Sequence, residues 1–279
     1  MPETQPFAPP VSTEPTDPVR QSWLFEQYKE LVAAIRFLTT LPVPGSTQLF
    51  RTDGRDNRLF LGSAYFPLVG LLLAAILVLL NWIIGSFVSS LVLAALLVVT
   101  LILLSGGLHL DGLMDSCDGL FGGRSREQKL EIMRDSRVGS FGVLGGVSII
   151  LLKFALLASL DIQWLPWALL TIIPISRCMM VLAMYIFPPA RPEGLGAAFR
   201  QTVTRGRLLC TVILTLVIAW FAGQLTGLAL CCGAALLTWL VGKWMVAQLG
   251  GLTGDSYGTL AELMEVMLLL LWTLLHFWL

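Results

Sequence analysis

The sequence predicts an all-α, polytopic membrane helix bundle of about seven spans, and three observations carry that prediction. The chain is 56% hydrophobic and only 13% charged, too apolar for an ordinary soluble domain. Apolar runs of about twenty residues recur along it, each long enough to cross a bilayer as a helix. Lys and Arg gather in alternate connections between those runs, as they do in cytoplasmic loops. The net charge is zero, so nothing in the balance suggests a nucleic-acid partner.

The elements follow in order. The opening stretch "MPETQPFAPPVSTEPTDPVR" is polar and Pro-rich, so residues 1–20 read as a disordered tail with no signal peptide. Residues 21–279 read as a single membrane-embedded catalytic domain. "QSWLFEQYKELVAAIRFLTTLP" has helical apolar spacing with charges opposite, which suits a helix lying on the membrane surface, and "LPVPG" ends it. Spans are expected at 65–84, 87–105, 141–160, 164–187, 208–222, 226–247 and 260–279, the fifth being short. Cations precede the first span (Arg20, Lys29, Arg36, Arg51, Arg55, Arg58), follow the second (Arg124, Arg126, Lys129, Arg134, Arg137) and follow the fourth (Arg191, Arg200, Arg205, Arg207). The short connections near Gly85, Asp161 and Gly223 carry none, which sets the N-terminus in the cytoplasm and the C-terminus outside. Lys153 and Arg177 fall inside spans, where either ion pairing or substrate contact would explain them; Lys243 is placed to snorkel. The five cysteines have no metal-finger spacing and read as small buried hydrophobes.

The densest chemistry follows the second span, in "LHLDGLMDSCDGLFGGR". Asp111, Asp115 and Asp118 are spaced i, i+4, i+7, within about a 60° arc of one helix face. Three unpaired carboxylates on a stripe repel. A divalent cation removes that cost, and oxygen-only ligands on a hydrated face suit Mg²⁺ or Mn²⁺. The competing reading is a solvated acidic turn paired with the arginines downstream. Arg124, Arg126, Arg134 and Arg137 have the forked geometry that binds phosphate. Glu131 and Asp135 follow one helical turn apart, and His109 lies on another face, as a base, a ligand or a structural hydrogen-bonding group. Two further polar patches fall on the same expected side. "GGLTGDSYGTLAELME" holds Asp255, Glu262 and Glu265, and "RPEGLGAAFRQTVTRGR" holds Glu193, Arg200, Arg205 and Arg207. The residues themselves suggest metal-dependent phosphoryl transfer at the membrane boundary, although Mg²⁺-carboxylate sites also serve prenyl transfer.

The long motif "GGLHLDGLMDSCDGLFGGRSREQKLEIMRDSRVGSFG" resembles the hallmark segment of the cobalamin synthase family, the adenosylcobinamide-GDP ribazoletransferases. "FLTTLPVP", "YFPLVGLLL", "EGLG" and "GGLTGDSYG…AELME" match in order, so the resemblance covers about residues 30–270. It implies an integral inner-membrane enzyme using Mg²⁺. A hydroxyl of α-ribazole, or of its 5′-phosphate, would attack the corrinoid-proximal phosphate of adenosylcobinamide-GDP and release GMP. On the matching positions, Asp111, Asp115 and Asp118 would hold Mg²⁺, and Arg124, Arg134 and Arg137 would contact phosphates. Asp135 would be a metal ligand or the base, with His109, read from the residues alone, as the other catalytic candidate. Asp255 and Glu262 would orient ribazole or complete the metal shell. Expected partners are these small molecules and the lipid bilayer; a homo-oligomer or association with other cobalamin-assembly enzymes is left open. A looser similarity, "D-x-x-D-G…R" at Asp115, Asp118, Gly119 and Arg124, links the chain to CDP-alcohol phosphotransferases, from which its remaining spacing departs. A transporter is the alternative from another class, and polar groups gathered on one face argue against it.

Overall fold

A computed structural model describes residues 23–43 and 62–277, and among these ten α-helices and one 3-10 turn are found, with no β-strand. The expected tail at 1–20, together with Arg51, Arg55 and Arg58, lies outside the described residues. The first helices are α1 (Trp23–Leu38), α2 (Phe66–Ile84, led by the 3-10 turn Ser63–Tyr65), α3 (Ser90–Ser105), α4 (Leu108–Gly122) and α5 (Arg126–Ile132). They are followed by α6 (Ser140–Ser159), α7 (Leu165–Ile186), α8 (Leu195–Thr202), α9 (Arg205–Leu249) and α10 (Gly254–Phe277). Helix is the only open-ended way to satisfy every backbone group within lipid, which is why the apolar runs fold so uniformly.

Five of these elements are long and apolar enough to span a bilayer: α2 with its leading turn, α6, α7, α9 and α10. Helix α9 breaks at Gln224, whose φ of 50° and ψ of −134° are not helical. There the chain folds back, because a Cβ on Gly227 would stand 2.1 Å from the carbonyl oxygen of Ala219. The two arms, 205–223 and 225–249, match the separate spans read at 208–222 and 226–247. Helices α3 and α4 meet at 89°. Gly106 and Gly107 make that corner, both left-handed at φ 63° and 71°, a conformation that costs only glycine nothing. At 16 residues α3 is too short to cross alone, unlike the span read at 87–105; with α4 it makes a bent pair of span length. Helix α4 packs along α6, where Asp118, Cys117 and Met114 meet Gly142, Gly145 and Gly146. The last helix starts at Gly254, six residues before the expected 260, which brings Asp255 and Glu262 onto one continuous element.

Helix α7 is central and mostly buried; α2, α6 and α9 keep most of their residues turned outward. One apolar cluster fills the middle of the bundle, where Leu73, Leu97, Ile172, Leu268 and Trp272 meet. A second lies toward the end that carries α1, α5 and α8, around Leu38, Phe66, Met184, Tyr257 and Leu260. Thr40, in the "FLTTLP" motif, ties the end of α1 to the corner: its N–H donates to Leu104 O at 2.8 Å and its hydroxyl to Leu103 O at 3.0 Å. All five cysteines are free; Cys178 and Cys231 are buried as expected, whereas Cys210 and Cys232 face outward on α9.

The charges inside spans pair with one another. Lys153 Nζ lies 2.6 Å from Glu262 Oε2 and 2.5 Å from Glu265 Oε2, and Arg177 Nη1 lies 2.8 Å from Glu265 Oε1. Of the two readings of Lys153 and Arg177, ion pairing is the one observed. The cluster locks α6 and α7 to α10.

Candidate active site

Helix α4 carries the aspartates and is held against α10 by backbone contact. A Cβ on Gly112 would stand 2.9 Å from Asp255 Cα, and one on Gly258 would stand 3.0 Å from the carbonyl oxygen of His109. Only glycine at both positions lets the helices cross so closely. The Thr259 hydroxyl secures the crossing, 2.7 Å from Ser116 Oγ and 3.1 Å from Gly112 O. At the start of α10, Thr253 and Ser256 cap each other: Thr253 N–H donates to Ser256 Oγ at 3.1 Å, and Ser256 N–H to Thr253 Oγ1 at 3.2 Å. Asp255 is thereby set beside the stripe of Asp111 and Asp115.

These three carboxylates are the unneutralised group of the site. None forms an ion pair among the described residues. Burial first, then the charges of Asp111, Asp255 and Asp118, push the Asp115 carboxyl up to about 6. Asp111 is exposed and Asp115 half-buried, so water reaches the stripe. Among the described residues no three acidic, His or Cys side chains close into a ready cage for a metal. Oxygen donors of this kind could hold a hard cation that keeps several waters.

Asp118 is placed differently from its two neighbours on the stripe. It is buried, and its two oxygens accept the N–H groups of Gly139 and Gly142, each at 2.8 Å. It thus supplies the cap that the N-terminus of α6 lacks from its own sequence. Glu262 is buried with Lys153, two helical turns along α10 from Asp255 and away from the open face. His109 is 1% exposed, with both ring nitrogens unpartnered, and feels the charges of Arg177, Glu265 and Lys153 rather than facing the aspartate stripe. Asp135 stands beyond the end of α5, so Glu131 and Asp135 do not share a helical turn. Its exposed carboxylate binds Arg137 Nη2 at 2.6 Å and is held at about 2 by that guanidinium, a poor setting for a base near neutral pH.

The arginines divide. Arg124 and Arg134 line a hollow of about 730 Å³ with Asp135 and Glu131. Arg134 also lines a second hollow, of about 330 Å³, that reaches Asp255. Arg137 is tied to Asp135. Arg126 is structural, donating from Nε to Leu249 O at 2.8 Å and from Nη2 to Ala190 O at 3.0 Å. Arg191 had no assigned role in the sequence, yet it lines the hollow beside Asp255. The available signal was its place between prolines and just before "EGLG", where a rigid turn presents it.

Fold and polar face together define a class: a polytopic membrane enzyme whose acidic and basic groups gather at one end of the bundle. The family model described as cobalamin-5-phosphate synthase matches residues 30–273, and the chain belongs to that family. A relative from Roseiflexus sp. (strain RS-1), named adenosylcobinamide-GDP ribazoletransferase, is 40% identical over 86% of this chain and 88% of its own. Relatives of the same name from Desulforamulus reducens and Desulfitobacterium hafniense are 41% and 38% identical, covering 88% and 87% of this chain and 96% and 95% of theirs. No solved structure matches the chain.

Proposed function

We propose that this protein joins adenosylcobinamide-GDP to α-ribazole, or to α-ribazole 5′-phosphate, with release of GMP. A ribazole hydroxyl oxygen forms a bond to the corrinoid-proximal phosphorus as the bond to GMP breaks, and the hydroxyl proton passes to water in the open groove. The carrying observation is that Asp111, Asp115 and Asp255 converge, with no ion pair to any of them among the described residues, beside the hollow that Arg134 and Arg191 line. In this reading the three carboxylates hold Mg²⁺. When bound, the ion shields the pyrophosphate and stabilises the charge that develops on its oxygens. Arg124 and Arg134 hold phosphate oxygens in place. Asp118 and Glu262 act at one remove, by fixing α6 and α10.

The polar end lies on the cytoplasmic side of the plasma membrane in this proposal. Its support is the alternation of Lys and Arg along the sequence. The direct test is GMP release by detergent-purified protein given adenosylcobinamide-GDP, α-ribazole and Mg²⁺, with EDTA as control. Ribazole-dependent, EDTA-sensitive release is expected; release that ignores ribazole would rule out the transfer.

A further inference from the structure

Two guanidinium groups flank one hollow that Glu193 and Asp255 also line. Arg134 follows α5, and Arg191 comes from the turn between α7 and α8; both line the space of about 330 Å³, and neither forms an ion pair among the described residues. Arg191 is not a loose surface side chain. Its Nη2 donates to the carbonyl of Leu130. Its turn is pinned on the other side, where Ala190 N–H donates to Leu252 O and Leu252 N–H to Pro188 O, each at 2.9 Å. Arg126 clamps the same turn through Ala190 O at 3.0 Å. Burial, then the Arg134 charge, lowers the Arg191 pKa from its usual value, with the Asp255 charge opposing, so the two cations and Asp255 act on one another across the hollow.

The third wall adds to the positive potential. Helix α8 begins there, and Gly194, Gly196 and Ala197 line the hollow. Gly194 sits at φ 108° and offers no side-chain cap, so the first N–H groups of this eight-residue helix are left for something else. Two arginines and an uncapped helix start on one hollow favour an anion there. Of the two carboxylates that line it, Asp255 belongs to the aspartate group and Glu193 forms no ion pair among the described residues.

We propose that this hollow is a seat for a phosphate monoester, and that its occupant is the phosphate of the departing guanine nucleotide. The identity of the occupant rests on the transferase reading above. Asp255 separates the hollow from Asp111 and Asp115, so a phosphate held here adjoins the carboxylates where the bond breaks. An adjoining hollow of about 390 Å³ shares Arg134, Arg191 and Glu193 and adds Glu127 and Glu131. Carboxylates accept hydrogen bonds, and guanine offers them N1–H and its 2-amino group. The benzimidazole of α-ribazole has no N–H to give, so the acidic hollow selects the nucleotide over the other phosphate monoester of the reaction.

The test is a binding titration of the detergent-solubilised full chain with GMP, AMP and α-ribazole 5′-phosphate. Wild type is compared with Arg191→Ala, Arg191→Lys and Arg134→Ala, each checked by thermal unfolding. Arg134 is exposed, so its variant keeps the experiment readable if Arg191→Ala fails to fold. Both alanine variants are expected to weaken GMP about tenfold or more, as loss of a charged hydrogen-bond partner does, with ribazole phosphate little changed. Arg191→Lys should fall between, because an ammonium lacks the guanidinium fork. Unchanged GMP affinity in folded Arg134→Ala and Arg191→Lys overturns the seat. A loss confined to ribazole phosphate overturns the nucleotide as its occupant, and equal wild-type affinity for AMP and GMP overturns the guanine selection. GMP binding that depends on both arginines, in a protein that releases no GMP with ribazole, would leave the seat standing and remove the transferase reading.

Discussion

Asp115 and Asp118 stand three residues apart on one helix, and their surroundings give them different work. Asp115 faces a wet groove among like charges; Asp118 is closed over by α6 and accepts two of its backbone N–H groups. Asp115→Asn and Asp255→Asn are therefore expected to cut GMP release at least about 100-fold with melting unchanged, the loss appearing in kcat. Asp118→Asn is expected instead to lower stability by about 1–3 kcal/mol, read as an earlier thermal transition. A variant at Asp118 that melts normally yet has lost its Mg²⁺ dependence would return that residue to the cation set. The i, i+4, i+7 spacing made the stripe legible in the sequence. It could not show which end of the stripe another helix would cover, because that depends on where α6 packs. Arg191 was invisible for a related reason: its role comes from a turn meeting α5 and the start of α10, contacts between segments about sixty residues apart in the chain.

At the scale of elements, the site depends on how closely α4 and α10 approach. Gly112→Ala would drive a methyl group into the Asp255 backbone, which cannot yield as a flexible side chain would. A cost of about 1–3 kcal/mol is expected, with turnover falling further than stability because Asp255 moves away from Asp111 and Asp115. Paired melting and GMP-release assays on this variant check it. The buried ionic cluster makes a second case. Lys153→Met leaves Glu262 without its cation and Glu265 with Arg177 alone, at about 3–5 kcal/mol. Lys153→Met combined with Glu262→Gln should recover part of that loss, and a double variant no better than the single would refute the pairing as the source. Apolar run length gave the boundaries of α2, α6 and α7 nearly to the residue. The right-angle corner was written as "GG" at 106–107, but how α4 packs on α6 and α10 beyond it could not be read from run length.

For the molecule as a whole, charge is sorted along one axis. Among the described residues most cations and acids that meet water collect at the end bearing α1, α5 and α8, Asp161 lying at the other. EDTA is expected to abolish turnover, with Mg²⁺ restoring it. In sealed inside-out vesicles, substrate added to the medium should turn over; in right-side-out vesicles it should not. Turnover in the opposite preparation only would invert the proposed topology. The charges deep in the bundle tell a different story: two cations, Lys153 and Arg177, sit with two anions, Glu262 and Glu265. A membrane voltage does work of about 2.3 kcal/mol on each elementary charge moved through 100 mV. On a cluster whose charges cancel it does almost none. Among the described residues that cluster gives an energised membrane no lever, so the rate of turnover should be the same in respiring and fully depolarised vesicles.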